Sequence, residues 1–168
     1  MGTQILTKIE ATKIEIMKKI LSLLSLLVVL GFSSCIDQEY PLWDGSLVEF
    51  QDAVVRTPVA GQSYPRITVN NKVGTVSLQV NLVAPQRSSD ETINYSVVPE
   101  GTTAVAGTDY SVSGSLVIPA NSSTGTLTVN VVDTGSLGGS VDLLLRLDGN
   151  ASVSPSENYK QVQIRITR

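Results

Sequence analysis

Past residue 46 the apolar positions of this chain recur at every second residue. Val76, Leu78, Val80 and Leu82 alternate with Ser77, Gln79 and Asn81. The same beat runs through Ile93, Tyr95 and Val97, through Leu127, Val129 and Val131, through Val141, Leu143, Leu145 and Leu147, and through Val162, Ile164 and Ile166. In extended backbone, successive side chains point to opposite faces, so each run offers one face to a core and the other to water. With shorter runs at 47–50 and 115–118, the pattern predicts about seven strands. Turn-forming clusters punctuate them: "PVAGQSYP", "APQRSSDE", "PEGTTAVAGT", "PANSSTG", "TGSLGG" and "GNASVSPSE". No helical period is expected after residue 35. Short strands with frequent turn signals predict an all-β, two-sheet antiparallel β-sandwich over residues 47–168.

The N-terminal stretch follows a different pattern. Lys18 and Lys19 lead an apolar run from Ile20 to Phe32, and Ser33, Ser34 and Cys35 follow it before the chain turns acidic and polar. A cationic lead, an apolar run of about 7–15 residues and small residues at a cut site predict a helical secretory signal over 17–34. The run is short of the roughly 20 residues that span a bilayer. Phe32-Ser33-Ser34-Cys35 resembles the lipobox of bacterial lipoproteins, with Phe32 where an aliphatic residue is commoner. The resemblance implies cleavage before Cys35 and lipidation of its thiol. Two or three acyl chains, at about 0.8 kcal/mol per buried methylene, hold a protein stably on a membrane. Met17 fits the start of such a signal, which makes 1–16 an upstream extension.

Residues 35–46, with Pro41 and Gly45, show no apolar beat and are read as a tether. Asp37 and Glu39 resemble the acidic residues that direct Bacteroidetes-type lipoproteins to the outer face of the outer membrane. The expected location is therefore the outer membrane, lipid-anchored, at the cell surface, or else its periplasmic face.

Composition narrows the chemistry. From Cys35 onward there are eight Lys and Arg against 13 Asp and Glu, a formal charge of −5, with no basic patch to attract nucleic acid. The chain has no histidine, which removes Ser-His-Asp and Cys-His catalysis and the commonest metal ligand. Its one cysteine excludes an internal disulfide. Lys72 and Lys160 are the lysines left for a Ser-Lys dyad; one sits in a turn and the other opens the last strand. Asp90-Glu91 lie at a loop tip, which offers no cleft for a glycosidase pair. Gly138-Gly139 has no following helix to cradle a phosphate. No catalytic residue and no cofactor are assigned.

"TVSLQVNLV…INYSVVPEGTTAVAGTDYSVSGSLVIPANSSTGTLTVNVVD" resembles the Calx-beta domain, through Tyr95, Gly101-Thr102, Ala106-Gly107-Thr108-Asp109-Tyr110, Pro119 and Asp133. The likeness covers about Leu47 to Thr167 and implies the same Ig-like sandwich. It also implies that calcium, where the family binds it, is held by clustered carboxylates at the positions of Asp109 and Asp133. Here Thr134 and Gly135 replace the rest of the acidic run, and Asn70 and Asn71 lie near the place of another acid. Calcium takes six to eight oxygens, several of them charged, so no metal site is assigned. Asp109 also fits a turn-capping side chain, and Tyr110 a packed corner tyrosine.

Among aromatics that could stack on a sugar ring, Tyr64 is the expected exposed one; Trp43 is expected to fold against the first strand and Tyr95 to lie in the core. The function expected is a non-catalytic binding or adhesion module for a glycan or protein at the cell surface. The alternative is a structural subunit of an envelope complex, docking through a strand edge.

Overall fold

The computed structural model describes residues 12–24, 44–135 and 138–168. The expected lipidation site Cys35, the cleavage region, most of the tether, Tyr40 and Trp43 lie outside the described residues. The chain divides into two units, Met1–Leu42 and Trp43–Arg168. In the first, residues 12–24 form helix α1, which runs through Met17. Ile14, Met17, Leu21 and Leu24 fall three and four residues apart and share one stripe of it. Among the described residues no helix is long and apolar enough to cross a membrane.

The second unit is a sandwich of two five-stranded sheets. Its strands are β1 (Leu47–Phe50), β2 (Arg66–Asn70), β3 (Thr75–Val83), β4 (Glu91–Val97), β5 (Tyr110–Ser111), β6 (Ser115–Ile118), β7 (Thr124–Val131), β8 (Ser140–Gly149), β9 (Ser154–Pro155) and β10 (Gln161–Thr167). The first sheet runs β5-β7-β3-β1-β9 and the second β2-β10-β8-β4-β6. The seven expected strands are all present. Three more are short or weakly patterned: β2, and the two-residue β5 and β9.

Two edge pairs are parallel, β1 with β9 and β2 with β10; the other pairings are antiparallel. One further correction concerns helix. Gln51–Val55 forms a single turn, α2, that buries Ala53. Five residues are too few for a helical period to register in the sequence.

Period-two burial builds the core. β7 alternates exposed and buried along its whole length. Phe50, Leu78, Val80 and Leu127 of the first sheet face Ile93, Leu143, Leu145, Leu147 and Ile164 of the second, all essentially removed from water. Each such side chain contributes about 1.5–3 kcal/mol of burial. Tyr95 is buried as expected. Its hydroxyl accepts the Ser113 amide at 3.2 Å and pairs with the Ser113 hydroxyl at 3.1 Å, tying the loop before β6 to β4. Tyr110, expected as a packed corner tyrosine, is buried too.

Register fixes which loops meet. Thr167 lies beside Asn70 and Ser140 in the second sheet, while Thr75 pairs with Asn130 and Tyr110 with Val131 in the first. The ends of β2, β7 and β10 and the starts of β3 and β8 therefore gather at one end of the sandwich.

Candidate functional site

That end carries the residues that the Calx-beta resemblance singled out. Asp109 is only 3% exposed, and its neighbours engage it from every side. Its Oδ2 accepts the Val105 amide at 2.9 Å, and its own amide donates to the Val105 carbonyl at 2.8 Å. Its carbonyl accepts the Val132 amide at 2.9 Å. Its Oδ1 accepts a charged hydrogen bond from the Arg168 guanidinium. The carboxylate closes its own loop from the C-terminal side, a tighter role than the turn cap read from sequence.

Asp133 lies one residue past Val132. Its Oδ1 accepts the Gly135 amide at 2.9 Å, an Asx turn, and the Asn71 side-chain amide at 3.1 Å. Asn71 is itself 3% exposed, at the head of a 3₁₀ turn (Asn71–Val73) that Asn70 caps by accepting the Lys72 amide.

Arg168 is held by its backbone as well. Its amide donates to the Gly139 carbonyl and its carbonyl accepts the Gly138 amide, both at 3.1 Å. Gly138 and Gly139 each sit at φ 83°, where a Cβ is strained, so this pair of glycines makes the turn that Arg168 docks on.

These residues do not fit a divalent ion. Asp109 already carries a guanidinium on one oxygen and an amide on the other, and Oδ1 of Asp133 accepts from both Asn71 and Gly135. Among the described residues no three His, Cys, Asp or Glu side chains converge. Calcium needs more oxygens and more charge than this end supplies.

Another part of the recognised motif has a structural role. Pro99–Gly101 forms a 3₁₀ turn that crosses the outer face of the second sheet. The Thr102 hydroxyl accepts the Leu144 amide at 3.0 Å and donates to the Val98 carbonyl at 2.8 Å. Gln163 reaches the Gly101 carbonyl at 3.2 Å and accepts from Arg66 Nε at 2.7 Å. The turn covers Leu144 and Gln163, which are outward-facing yet buried. Beside it, Arg165 grips Asp142 through Nε at 2.8 Å and Nη2 at 2.7 Å. The hydrogen bonds from Arg165 lower the Asp142 pKa against the opposing effect of burial. Burial also pushes the Tyr110 phenol up.

The residues weighed for catalysis are occupied or isolated. Asp90 Oδ1 accepts the Ala120 amide at 2.9 Å, Glu91 accepts from the Asn150 side chain, and Lys160 pairs with Glu157 at 3.2 Å. Lys72 is exposed on its turn.

The exposed aromatic is not the one expected. Tyr64 is half-buried beside the buried Pro65, whereas Tyr159 is 40% exposed. Tyr159 borders a groove of about 480 Å³ lined by Pro58, Ser63, Glu157, Asn158, Lys160 and Gln161. The groove lies where the chain passes from the first sheet to the second, once between α2 and β2 and once between β9 and β10. The Tyr159 carbonyl accepts the Phe50 amide at 2.9 Å, which fixes the backbone under the ring. Tyr159 follows Pro155, Glu157 and Asn158 in a stretch with no apolar alternation. That was the one available sign that its ring would not enter the core.

No protein-family model matches the chain, and no curated protein matches it in sequence. Solved structures do match its fold. The apo-form Calx CBD1 domain superposes with a TM-score of 0.53 at 17% identity, over 74% of this chain and 99% of that one. The Calx CBD2 domain gives 0.52 at 15% identity, over 71% and 85%. CBD12 from CALX1.2 gives 0.50 at 20% identity, where this chain spans 41% of that structure's length. The matching CBD12 of CALX1.1 is described as a calcium binding domain. The chain therefore has a Calx-beta-like, Ig-like β-sandwich fold. At these identities the likeness is one of fold, and the loop residues of this chain decide its chemistry.

Proposed function

We propose that this protein is a non-catalytic binding module of a bacterial envelope lipoprotein, of the Bacteroidetes type, anchored at the outer-membrane surface through Cys35. Its ligand is a glycan held on the flank groove. The observation that carries this reading is Tyr159, an exposed ring whose backbone is pinned to β1, flanked by Ser63, Asn158 and Gln161. An aromatic face packs on the C–H face of a sugar while amide and hydroxyl groups bond its ring hydroxyls. The Calx-beta-like fold supports a binding rather than a catalytic role, and a chain without histidine adds to that. For the structural-subunit alternative, the first sheet offers poor docking edges, since both its outer strands have two residues.

A glycan array probed with purified protein, followed by calorimetry on each hit, tests the groove. Y159A abolishes binding with its melting temperature unchanged. Binding that survives Y159A, or a protein that ignores every glycan and copurifies stoichiometrically with one envelope protein, refutes it. The anchor has its own test: C35A moves the protein from the membrane to the soluble fraction, and retention of C35A in the membrane refutes lipidation.

A further inference from the structure

We propose that Arg168 is a built-in cation that replaces a metal ion at the loop end of the sandwich, keeping that end assembled whatever the calcium level. The proposal is independent of the groove and of the lipid anchor. Three observations meet on one side chain. Asp109 is 3% exposed and ionisable, and a carboxylate so deeply buried requires a positive partner. The partner present is the Arg168 guanidinium, itself only 26% exposed. Gly138 and Gly139 clamp the Arg168 backbone through two hydrogen bonds, so the guanidinium is delivered to Asp109 by the frame rather than by a wandering side chain.

The loops joined in this way are those a metal would join. Asp109 closes 105–109 on itself and binds Val132, while the adjacent Asp133 binds Asn71. Arg168 adds the end of β10, so the second sheet is bonded to a loop of the first across the end of the sandwich. A divalent ion does this by gathering oxygens and leaves when its concentration falls. A tethered guanidinium adds no ligand to the mass action and cannot leave. It also forms fewer bonds, since it reaches one carboxylate and contributes hydrogen-bond donors only. The remaining acid, Asp133, accordingly has amide donors of its own instead of a shared ion.

Thermal melting of the full chain, with chelator or with calcium chloride at about 10 mM, tests this; that level exceeds the roughly 10⁻⁴–10⁻³ M dissociation constants of extracellular calcium modules. The wild type melts at the same temperature in both. R168A melts lower than the wild type by at least about 2 °C in both, because Asp109 loses its counter-charge and one vacated carboxylate oxygen is too few ligands to hold calcium. R168K keeps most of the wild-type melting temperature and gains no calcium response. D109N/R168A, with no buried charge left to neutralise, melts above R168A and ignores calcium. Should R168A not fold, a folded circular dichroism spectrum for D109N/R168A supports the proposal equally well. The proposal is overturned by a calcium shift in the wild type, by an R168A melt equal to the wild type, or by an R168K variant that melts as low as R168A. A double variant less stable than R168A also overturns it, because Arg168 would then act through packing alone.

Discussion

Placing one methyl group on Gly101 sets two effects of opposite sign against each other. Gly101 does not adopt a positive φ, so its backbone accepts alanine. Alanine at such a position reduces the entropy of the unfolded chain and stabilises by about 0.4–1 kcal/mol. The space above Leu144 decides otherwise. An ideal Cβ on Gly101 runs into Leu144 Cδ2 and lies 3.0 Å from its Cβ and 3.3 Å from its Cγ. The Cδ2 contact could be relieved by a rotamer change, but the Cβ is fixed to the β8 backbone. The Thr102 hydroxyl and the Val98 amide hold the turn over Leu144 by hydrogen bonds to its amide and carbonyl. Overpacking of this kind costs about 1–3 kcal/mol, so the clash wins and G101A loses about 1–2 kcal/mol.

A double-mutant cycle separates this clash from any other cause. L144A alone costs about 2–3 kcal/mol, at the low end of buried leucine truncations because a single turn covers the site. In G101A/L144A the added methyl enters space that the leucine vacated, so the pair costs about 1–2 kcal/mol less than the sum of the singles. Urea unfolding followed by circular dichroism measures all three. A G101A protein as stable as the wild type, or penalties that add within about 0.5 kcal/mol, would refute the reasoning.

Two further outcomes follow from side chains already placed. Asp142 has a folded pKa below its unfolded value, so the Arg165 pair contributes stability fully present above the unfolded carboxylate pKa of about 3.9 and lost as pH falls through the lower folded value. D142N is accordingly less stable than wild type at pH 7, and the gap in melting temperature closes below about pH 4; a gap constant down to pH 2.5 (about 1.5 units lower still) counts against the pair. Y95F removes the acceptor of the Ser113 amide and the partner of its hydroxyl. It costs about 1 kcal/mol in urea unfolding, and an unchanged midpoint rules out the tie between β4 and the loop before β6.

Much of the sandwich was legible because a strand with one dry face writes its period into the sequence. Val76 to Leu82 and Leu127 to Val131 could hardly be read otherwise. β2 escaped because only Ile67 and Val69 mark its inner face and neither is fully buried. β5 and β9 have two residues each, too few for any period, and they are strands only because β7 and β1 lie alongside. The site was legible in part. Asp109, Tyr110 and Asp133 stood out through a motif, but what each touches did not. Arg168 is 59 residues from Asp109 and Leu144 is 43 from Gly101; register and topology make those meetings, not spacing. The choice between Tyr64 and Tyr159 turned on which of two polar loops packs inward, and no local pattern distinguishes them.

The two ends of β10 lie at the flank groove and at the loop end. Gln161 opens the strand at the flank groove and Thr167 closes it beside Arg168, with three fully buried residues, Val162, Ile164 and Ile166, between them. A strand so anchored transmits little motion, since moving it means opening the core at about 1.5–3 kcal/mol per side chain. A metal at the loop end would make the order of that end follow the medium, which suits a sensor. A fixed guanidinium makes it constant, which suits a frame whose task is to hold a surface still. The guanidinium on Asp109, the amide donors on Asp133 and the exposed ring on the flank fit one division of labour. On the proposed reading the loop end holds the frame still, and recognition falls to Tyr159 and its polar neighbours.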